Sequence, residues 1–485
     1  MRAHAIVVAA WLCGAVWSAA GSLRPASAGE VEFNGSVASE NFLGVSGDDA
    51  GRWFDFRNAN TIGFKLKAHP SDEVTASASL EVRNTNFSEI RLVTELWDRA
   101  AADPVSLRVR EAYVQVDGFV FDGDEFSLDL RAGKQIVAWG EADSFNPTNN
   151  FDPYDLENPL DFKERLANVS LKLDFNIGDD FLLLEGVFVP RHLPSLLPID
   201  LLIRGDPLQS PLMPAIDPRL LAQLETLGIL LVPPGLDVVT APAPAFAAEN
   251  IAAGARLKGS FFGFDMSVSY FRGRDLLPAP TLAKTRLAGS VAEGCPQGGT
   301  SCLVFDGVEL SYPRLQVVGF DFRGSLGKVG VWGEVGVVFP EKVATVVEAG
   351  LLGSYQLAFI DDTPFTKWTL GAEYTFPGGL FVNAQWVHGF FAERTGHALH
   401  DYLFVDVKKT FLSERLRLEL MLGGEVDPNR GRRALGGFVG LEAGYKPYDG
   451  AEVVLGCALA AGEERTTFDL FEDLSQVYLK IRADF

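Results

Sequence analysis

Apolar and polar residues alternate along most of the chain, in segments of about ten residues. The segment ANTIGFKLKA, for example, places Ile62, Phe64 and Leu66 in one phase and Lys65 and Lys67 in the other. A period of two is that of a β-strand, because successive side chains of a strand point to opposite faces of the sheet. The chain is therefore predicted to consist of long strands with one apolar and one polar face.

The connections between these segments alternate in length. Every second one is short, as in HPSDE, SLGK and PGG, and the others are long, the longest running from about residue 190 to 250. A soluble β-sandwich or propeller also alternates, but its strands are usually about five or six residues long, and it gives no reason for this asymmetry. Short turns on one side and long loops on the other are typical of bacterial outer-membrane barrels. We therefore predict an all-β fold, a transmembrane antiparallel β-barrel of about 18 strands, with 16 as the alternative count.

An even strand count puts both chain ends on the short-turn side, which is the periplasmic side of such a barrel. After the first residues, no segment is apolar for long enough to form a membrane-spanning helix, which argues against a helical membrane protein. The predicted strands run approximately over residues 31–42, 59–68, 74–83, 107–117, 127–139, 167–175, 181–189, 250–259, 262–271, 314–324, 329–340, 367–376, 380–390, 402–410, 415–425, 435–445, 451–461 and 475–485.

The first 28 residues have the features of a secretory signal peptide. Arg2 supplies a positive charge, an apolar run follows, and the small residues Ala26-Ser27-Ala28 form a cleavage site. Cys13 offers a lipoprotein as an alternative, but the bulky residues before it do not fit the small-residue pattern of such a site. We predict a signal peptide over 1–28 and a single barrel domain over 29–485, located in the outer membrane of a Gram-negative bacterium and in contact with its lipid.

The chain ends in VYLKIRADF, with apolar residues at alternate positions up to a final aromatic residue. This strand resembles the assembly signal of outer-membrane barrels, carried here by Leu479, Ile481 and Phe485. The resemblance implies that barrel-assembly machinery and periplasmic chaperones are partners of the chain. An ordinary C-terminal strand is the alternative.

The polar phase of the strands carries charges of both signs, which predicts an inner wall of roughly balanced charge. Such charges set selectivity if the barrel conducts; alternatively they neutralise one another across strands and only solvate the wall. The pore-lining candidates are Lys65, Lys67, Glu81, Arg83, Asp129, Arg131, Gln135, Glu141, Lys172, Arg256, Lys258, Asp321, Arg323, Glu334, Glu373 and Arg417.

A compact motif lies in LRAGKQIVAWGEADSFNPTNNFDPYD, where a predicted strand passes into a polar loop. Its R-x-G-x-Q-x-x-x-W-G-E pattern consists of Arg131, Gly133, Gln135, Trp139, Gly140 and Glu141. It resembles a motif of porin-like barrels, in particular a family of uncharacterised proteobacterial outer-membrane barrels. The similar stretch covers about residues 109–175 and implies an architecture more than a substrate. Two interpretations of these residues stay open: a loop over 142–166 folds inward as a constriction, or Trp139 belongs to an aromatic girdle and Glu141 to the rim.

Two other loops carry specific features. The loop over 190–249 is rich in leucine, and a helix start is predicted at Asp217-Pro218. Four roles are open for these leucines. The loop covers the mouth of the barrel, captures an apolar substrate, packs on a partner barrel, or buries its leucines against itself and the rim. Cys295 and Cys302 bracket a glycine-rich loop, and in an exported protein this close pair is expected to form a disulfide.

Charge and motifs argue against several functional classes. The net charge of −22 argues against nucleic acid as a partner, since phosphate binding needs clustered lysine and arginine. His397, His400 and Asp401 are close in sequence, but a short-spaced pair in one loop is weak evidence for a metal, and no nucleophile elbow or nucleotide loop is present. We expect no enzyme activity, no cofactor and no metal.

Three hypotheses on function remain. The first is an outer-membrane channel for passive or facilitated transport of small solutes, narrowed by the loops 142–166 and 190–249. The second is a conduit for apolar molecules such as lipid or hydrocarbon, suggested by the leucine-rich loop. The third is a non-conducting surface barrel that binds a partner through its loops.

Overall fold

The computed structural model describes most of the chain beyond residue 29. The described residues are 30–45, 56–85, 104–121, 126–143, 145–156, 164–178, 182–197, 230–232, 238–289, 295, 301–348, 353–427, 435–463 and 466–485. The expected signal peptide and the predicted helix start at Asp217-Pro218 lie outside these residues.

Within the described residues, eighteen antiparallel strands form one closed sheet. They are β1 (Glu30–Gly44), β2 (Phe56–Ser71), β3 (Val74–Thr85), β4 (Val105–Phe121), β5 (Phe126–Gln135), β6 (Asn168–Ile177), β7 (Leu182–Val189), β10 (Ala252–Phe261), β11 (Phe264–Arg274), β14 (Arg314–Leu326), β15 (Val329–Pro340), β18 (Phe365–Thr375), β19 (Leu380–His388), β20 (Asp401–Phe411), β21 (Leu416–Val426), β22 (Leu435–Tyr448), β23 (Ala451–Gly462) and β24 (Gln476–Asp484). The predicted barrel of 18 strands is confirmed.

The barrel closes where the last strand, β24, pairs with the first, β1. The terminal residue takes part, because Gly35 N donates to Phe485 O at 2.7 Å and Phe485 N donates to Gly35 O at 2.9 Å. The Phe485 ring lies over Gly35, where a Cβ atom would overlap it. Closure pairs the edges of the first and last strands, whose unsatisfied backbone groups would otherwise each cost several kcal/mol in hydrocarbon.

The predicted end of β5 is wrong. The strand expected over 127–139 ends at Gln135, and residues 136–139 leave the wall and enter the barrel. The alternation could not show this end, because Val137 and Trp139 continue the inward phase of Gln135 and are buried inside the barrel.

The outer surface of the barrel is largely apolar. Many outward side chains are exposed, including Leu107 at 70% and Leu403 at 55%. Aromatic residues lie at or near the short-turn end, among them Phe262 in its turn at 98% exposure, Tyr448 and Phe485. An apolar band with an aromatic girdle is the surface that a transmembrane barrel presents to lipid.

A row of asparagines interrupts this band on β1–β3. Asn41, Asn58, Asn60 and Asn84 share the outward phase of neighbouring apolar residues and lie towards the long-loop end. Asn58 Nδ2 donates to Asn41 Oδ1 at 2.8 Å, and Asn60 Nδ2 donates to Asn58 Oδ1 at 2.6 Å. We call these four residues the asparagine row.

A second sheet is formed by the long connections. In the described residues it consists of β8 (Leu230–Val232), β9 (Val239–Thr240), β12 (Ala279–Ala288), β13 (Cys302–Ser311), β16 (Val343–Glu348) and β17 (Ser354–Ile360). The hairpins β12–β13 and β16–β17 are joined by parallel pairing of β12 with β16. The sequence pattern did not predict this sheet. The expected disulfide between Cys295 and Cys302 is confirmed, with a Cα–Cα distance of 5.6 Å.

Helical structure is minor. The described residues contain one short α-helix, α1 (Thr467–Leu470), whose N-cap residue Thr466 accepts a hydrogen bond from Asp469 N, and 3-10 turns at Ala248–Asn250, Gly396–Ala398 and Glu472–Leu474. No helix in this part of the chain has the length and apolar character needed to cross a membrane.

Candidate functional site: the barrel interior

The segment after β5 crosses the interior of the barrel. We call residues 136–156 the inner loop. It leaves the wall at Gln135, contacts the inner faces of β15, β18 and β19, and is followed by residues 164–167, which lead into β6. The expected inward fold of this region is therefore seen for its described part, and it begins earlier than residue 142.

Glu334 on β15 holds the tip of the inner loop. Its carboxylate accepts hydrogen bonds from Ala142 N, from Asn146 Nδ2 at 3.0 Å and from Thr148 Oγ1 at 3.0 Å. Gly140 has a φ of +91°, and a Cβ atom at this position would overlap the Glu334 carboxylate. A carboxylate that accepts several hydrogen bonds from one loop is a strong local anchor, because charged acceptors form the stronger hydrogen bonds.

Further contacts attach the inner loop to β18–β20. Thr369 Oγ1 donates to the Phe145 carbonyl at 2.9 Å, and Asn383 Nδ2 donates to Asp143 Oδ2 at 2.8 Å. The Phe145 ring packs on Phe404, with ring centroids 5.0 Å apart. Polar and aromatic contacts on the far wall thus fix the loop across the barrel.

Near β5 the loop is held by a buried charge network. Trp139 is 1% exposed, and its indole N–H donates to Glu185 on β7. The Glu185 carboxylate also contacts Lys172 Nζ at 3.0 Å and Arg256 Nη2 at 3.3 Å. Two cations and an indole therefore compensate one buried carboxylate, which is the condition for burying a charge at acceptable cost.

Asp152 closes the base of the inner loop. Its carboxylate accepts hydrogen bonds from Val137 N at 2.9 Å and from Asn149 Nδ2 at 3.1 Å. Burial raises the pKa of Asp152 to about 7, although these hydrogen bonds oppose the shift. The loop base therefore contains a carboxyl group that titrates near neutral pH.

The remaining wall charges form mixed pairs. Lys258 Nζ lies 3.1 Å from Glu141, and Arg323 lies 3.9 Å from the same carboxylate and 3.8 Å from Glu373. Arg417 pairs with Glu442 at 3.0 Å on the opposite side of the barrel. The inner wall therefore presents polar, largely compensated charge.

The structure places all the pore-lining candidates inward, either on the inner phase of strands or, for Glu141, on the inner loop. They do not share one environment. Gln135, Asp321 and Glu334 are buried within the wall and under the inner loop, whereas Lys65 is exposed. Alternation thus identifies the inward phase but not the residues that the inner loop covers.

A cavity of about 1200 Å³ lies along the wall formed by β24 and β1–β5, beside the start of the inner loop at Ile136. Residues 165–167, Leu193 and Leu196 also line it. Among its described lining residues, six basic side chains outnumber three acidic ones. The basic ones are Lys65, Arg108, Arg110, Lys134, Arg165 and Arg482, and the acidic ones are Glu81, Glu111 and Asp484.

The histidines considered as metal ligands do not come together. His397 faces Asp361 at 3.7 Å, and Asp401 faces His388 at 2.9 Å. His400 Nδ1 lies 2.7 Å from Glu425 Oε1. The three residues therefore have separate partners.

His400, Glu393 and Glu425 form a cluster whose ligand atoms lie within 4.8 Å of one another. The carboxylate oxygens already accept hydrogen bonds: Thr467 N and Phe468 N donate to Glu425 at 2.9 and 3.1 Å, and His400 N donates to Glu393 at 3.0 Å. Burial raises the pKa of Glu393; for His400 burial is outweighed by the bond to Glu425 and nearby carboxylates, so its pKa is raised. The cluster ties the connection before β20 to β21 and α1.

Comparison with known proteins gives distant similarities only. A family described as a protein of unknown function (DUF1302) matches residues 14–184. No curated protein matches the chain. Solved structures with a similar course of the chain include OccK9 (OpdG) of Pseudomonas aeruginosa, with 9% identity over 94% of this chain and 98% of that chain and a TM-score of 0.49. They also include OccAB4 of Acinetobacter baumannii, with 9% identity over 94% and 97% and a TM-score of 0.47.

A further similar structure is the complex of Salmonella typhi OmpF with daunomycin, with 11% identity over 94% of this chain and 98% of that chain and a TM-score of 0.39. At these values the similarities carry no conclusion about function.

Two acidic residues of the inner wall were not among the candidates predicted from the sequence. Glu185 is the single acid in the otherwise uncharged strand LLLEGVFV, and Glu425 ends the inward phase of β21. A lone carboxylate on the inward phase of an apolar strand was the available signal, because such a group has to meet a cation or several donors inside the barrel.

Proposed function

We propose that the chain is an outer-membrane channel for passive or facilitated transport of small solutes. The observation that carries the proposal is the inner loop, which crosses a closed barrel and leaves a charged cavity beside it. A loop held across a barrel narrows the passage and so sets the size of the solutes that pass.

The polar inner wall supports the same proposal. Compensated pairs such as Lys258 with Glu141 solvate a water-filled passage and give it a polar lining. The basic excess beside the inner loop favours anions over cations in that part of the passage. The mature chain over 29–485 then works as one domain in the outer membrane of a Gram-negative bacterium, after removal of 1–28 and assembly through the C-terminal strand.

Planar-bilayer conductance of the folded protein tests the proposal. Under a salt gradient we expect steady openings and a reversal potential that indicates weak anion preference. Glu334→Ala removes the acceptor of three hydrogen bonds to the inner loop, so we expect a larger and noisier conductance. Asp306→Ala, on the second sheet outside the barrel, is the matched control and keeps the conductance of the parent.

A folded parent protein that passes no ionic current, here called a silent barrel, would contradict the channel proposal. Folding is checked by heat-modifiable electrophoretic mobility, so a silent barrel is distinguished from an unfolded one. A folded, silent barrel would favour the alternative of a surface barrel that binds a partner through its loops.

A further inference from the structure

At the long-loop end of the barrel, β4 extends further than its neighbour β5. β4 pairs with β3 from Val105 to Val116, whereas its pairing with β5 begins only at Ala112. Among the described residues, 105–111 therefore have no strand partner on the β5 side, which is roughly 20 Å of strand edge. The cause is the inner loop, because the chain leaves the wall after Gln135.

Side chains occupy this gap in place of a strand. The contacts are Lys134 Nζ to Val109 O at 2.5 Å, Ile136 N to Glu111 Oε1 at 3.3 Å, Arg108 to Asp155 at 3.4 Å and Arg110 to Glu164 at 2.5 Å. Lys134 belongs to the outward phase of β5 and reaches back to the open edge. These side-chain contacts do not form the continuous backbone ladder that joins β4 to β3.

The gap borders the cavity. Leu107 and Val109 on the outward phase of β4 line the cavity, as do Leu193 and Leu196 from the chain after β7. Leu107 is among the most exposed apolar residues of the outer surface. The cavity, at about 1200 Å³, is somewhat larger than typical small-molecule sites of about 300–1,000 Å³. The cavity therefore lies beside apolar residues of the outer rim and polar residues of the interior.

Arg165 lines the cavity and has one guanidinium nitrogen that lacks a hydrogen-bond partner in the described part of the chain. Its Nη1 donates to the Asp152 carbonyl at 3.0 Å, and its guanidinium lies 3.6 Å from the centre of the Tyr154 ring. Nη2 is buried and has no hydrogen-bond partner among the described residues. A buried guanidinium N–H without an acceptor is costly, and a carboxylate or phosphate oxygen is the group that best satisfies it.

We propose that the gap between β4 and β5 is a lateral opening through which an amphipathic carboxylate, such as a fatty acid, passes between the lumen and the outer leaflet. Its acid group binds near Arg165, and its chain lies along Leu107 and Leu193. The inference rests on the proposed channel function, since the opening leads into the same lumen, and it names a substrate class that leaves sideways.

Photolabelling tests the lateral opening directly. The probe is a saturated fatty acid with a diazirine near the end of its chain, added to the folded protein in lipid nanodiscs, and its methyl ester is the uncharged comparison. After irradiation, mass spectrometry of peptides locates the label. We expect the acid to label 105–109 and 193–196 roughly tenfold more than the ester does, as one charge-assisted contact predicts.

A pair of arginine variants makes the test specific. Arg165→Gln removes the guanidinium, and its labelling by the acid is expected to fall roughly tenfold, to the level of the ester. Arg286→Gln changes an exposed arginine on the second sheet and is expected to leave the labelling unchanged. Should Arg165→Gln fail to fold, Leu107→Trp fills the rim from the lipid side and is expected to reduce the label at 193–196.

The outcomes separate this inference from the channel proposal. Label spread over outward residues such as Leu184 and Leu403, independent of the acid group, would overturn the lateral opening, as would unchanged labelling of folded Arg165→Gln. Conductance without local labelling would support the channel proposal and overturn the lateral opening. Local labelling without conductance would overturn the channel proposal and show only that the gap in the wall binds an acid.

Discussion

Gly140 shows how a single residue positions the inner loop. Its φ of +91° is costly for other residues, and the Glu334 carboxylate fills the space where a Cβ atom would lie. The same carboxylate binds the residues that follow Gly140, so the absence of a side chain at 140 permits the close approach of loop and wall.

Gly140→Ala is expected to loosen the inner loop. The new methyl group adds a backbone penalty on the order of 1–2 kcal/mol and displaces Glu334 from its hydrogen bonds. Hydrogen exchange of residues 136–156, followed by mass spectrometry, should become faster. Gly327→Ala is the control, because Gly327 also has a positive φ, of +67°, but no atom lies near its Cβ position. Equal exchange in the two variants would show that the contact with Glu334 has no part in holding the loop.

Asp152 makes the stability of the inner loop depend on pH. Its folded-state pKa of about 7 lies above the ordinary value of 3.8, so the folded protein retains a proton that the unfolded chain loses between these pH values. The contribution of Asp152 to the free energy of unfolding is therefore largest below about pH 4. It falls as the pH rises from about 4 to about 7. The thermal transition of heat-modifiable mobility should lie lower at pH 8 than at pH 5.

Asp152→Asn should reduce this difference between pH 8 and pH 5, because an amide keeps an acceptor for Val137 N without titrating. Asp306→Asn, at an exposed carboxylate of the second sheet, should leave it unchanged. An unreduced difference in Asp152→Asn would assign the pH dependence to other groups.

At the scale of residues, the alternation was enough to predict which side chains point inward. Lys172, Arg256 and Glu334 were recognised in this way, because a two-residue period separates the faces wherever one face is apolar. Their partners were not predictable. The contact of Glu334 with Thr148 joins positions 186 residues apart, and no local pattern encodes such a contact.

Among the elements, the second sheet behaves as a separate layer built on the barrel. Its hairpins come from connections that follow neighbouring wall strands, and they pair in parallel through Leu282 and Val346. The sequence shows alternation in these segments too, but parallel pairing between two loops is a long-range arrangement that the strand count of the barrel does not require.

Loss of the disulfide should affect this layer alone. Replacing Cys295 and Cys302 by serine removes a bridge over a short loop, worth about 2 kcal/mol by chain entropy. Limited proteolysis should then cut more readily within 279–311, with the heat-modifiable mobility of the barrel unchanged. Cys457→Ser, at the free cysteine, is the matched control. Loss of barrel folding in the double variant would show that the second sheet and the barrel depend on each other.

The whole molecule depends on closure between its first and last strands. Phe485 contributes two backbone hydrogen bonds to Gly35 and an aromatic ring at the short-turn end. Removal of Phe485 should lower the yield of folded barrel in lipid vesicles several-fold, measured by heat-modifiable mobility. Asp484→Asn, which keeps the backbone, should fold like the parent protein. Equal yields after removal of Phe485 would contradict its predicted role in assembly.

The overall architecture was the most predictable level of this protein, since strand period, turn length and even strand count are all encoded locally. The inner loop was predictable only as an expectation from the motif after Arg131. The open edge of β4 was not predictable, because it results from the departure of one strand and the late return of the next.

The asparagine row gives the barrel an uneven hydrophobic height. On β1–β3 the apolar band reaches Ile62 and Val82 and then meets Asn60 and Asn84, whereas β22 continues with outward apolar residues towards its long-loop end. A bilayer adjusts to such hydrophobic mismatch by thinning or by tilt of the protein, at fractions of a kcal/mol per Å. The lipid beside the asparagine row is therefore expected to be thinner than the lipid beside β22, and it adjoins the strand whose edge is open.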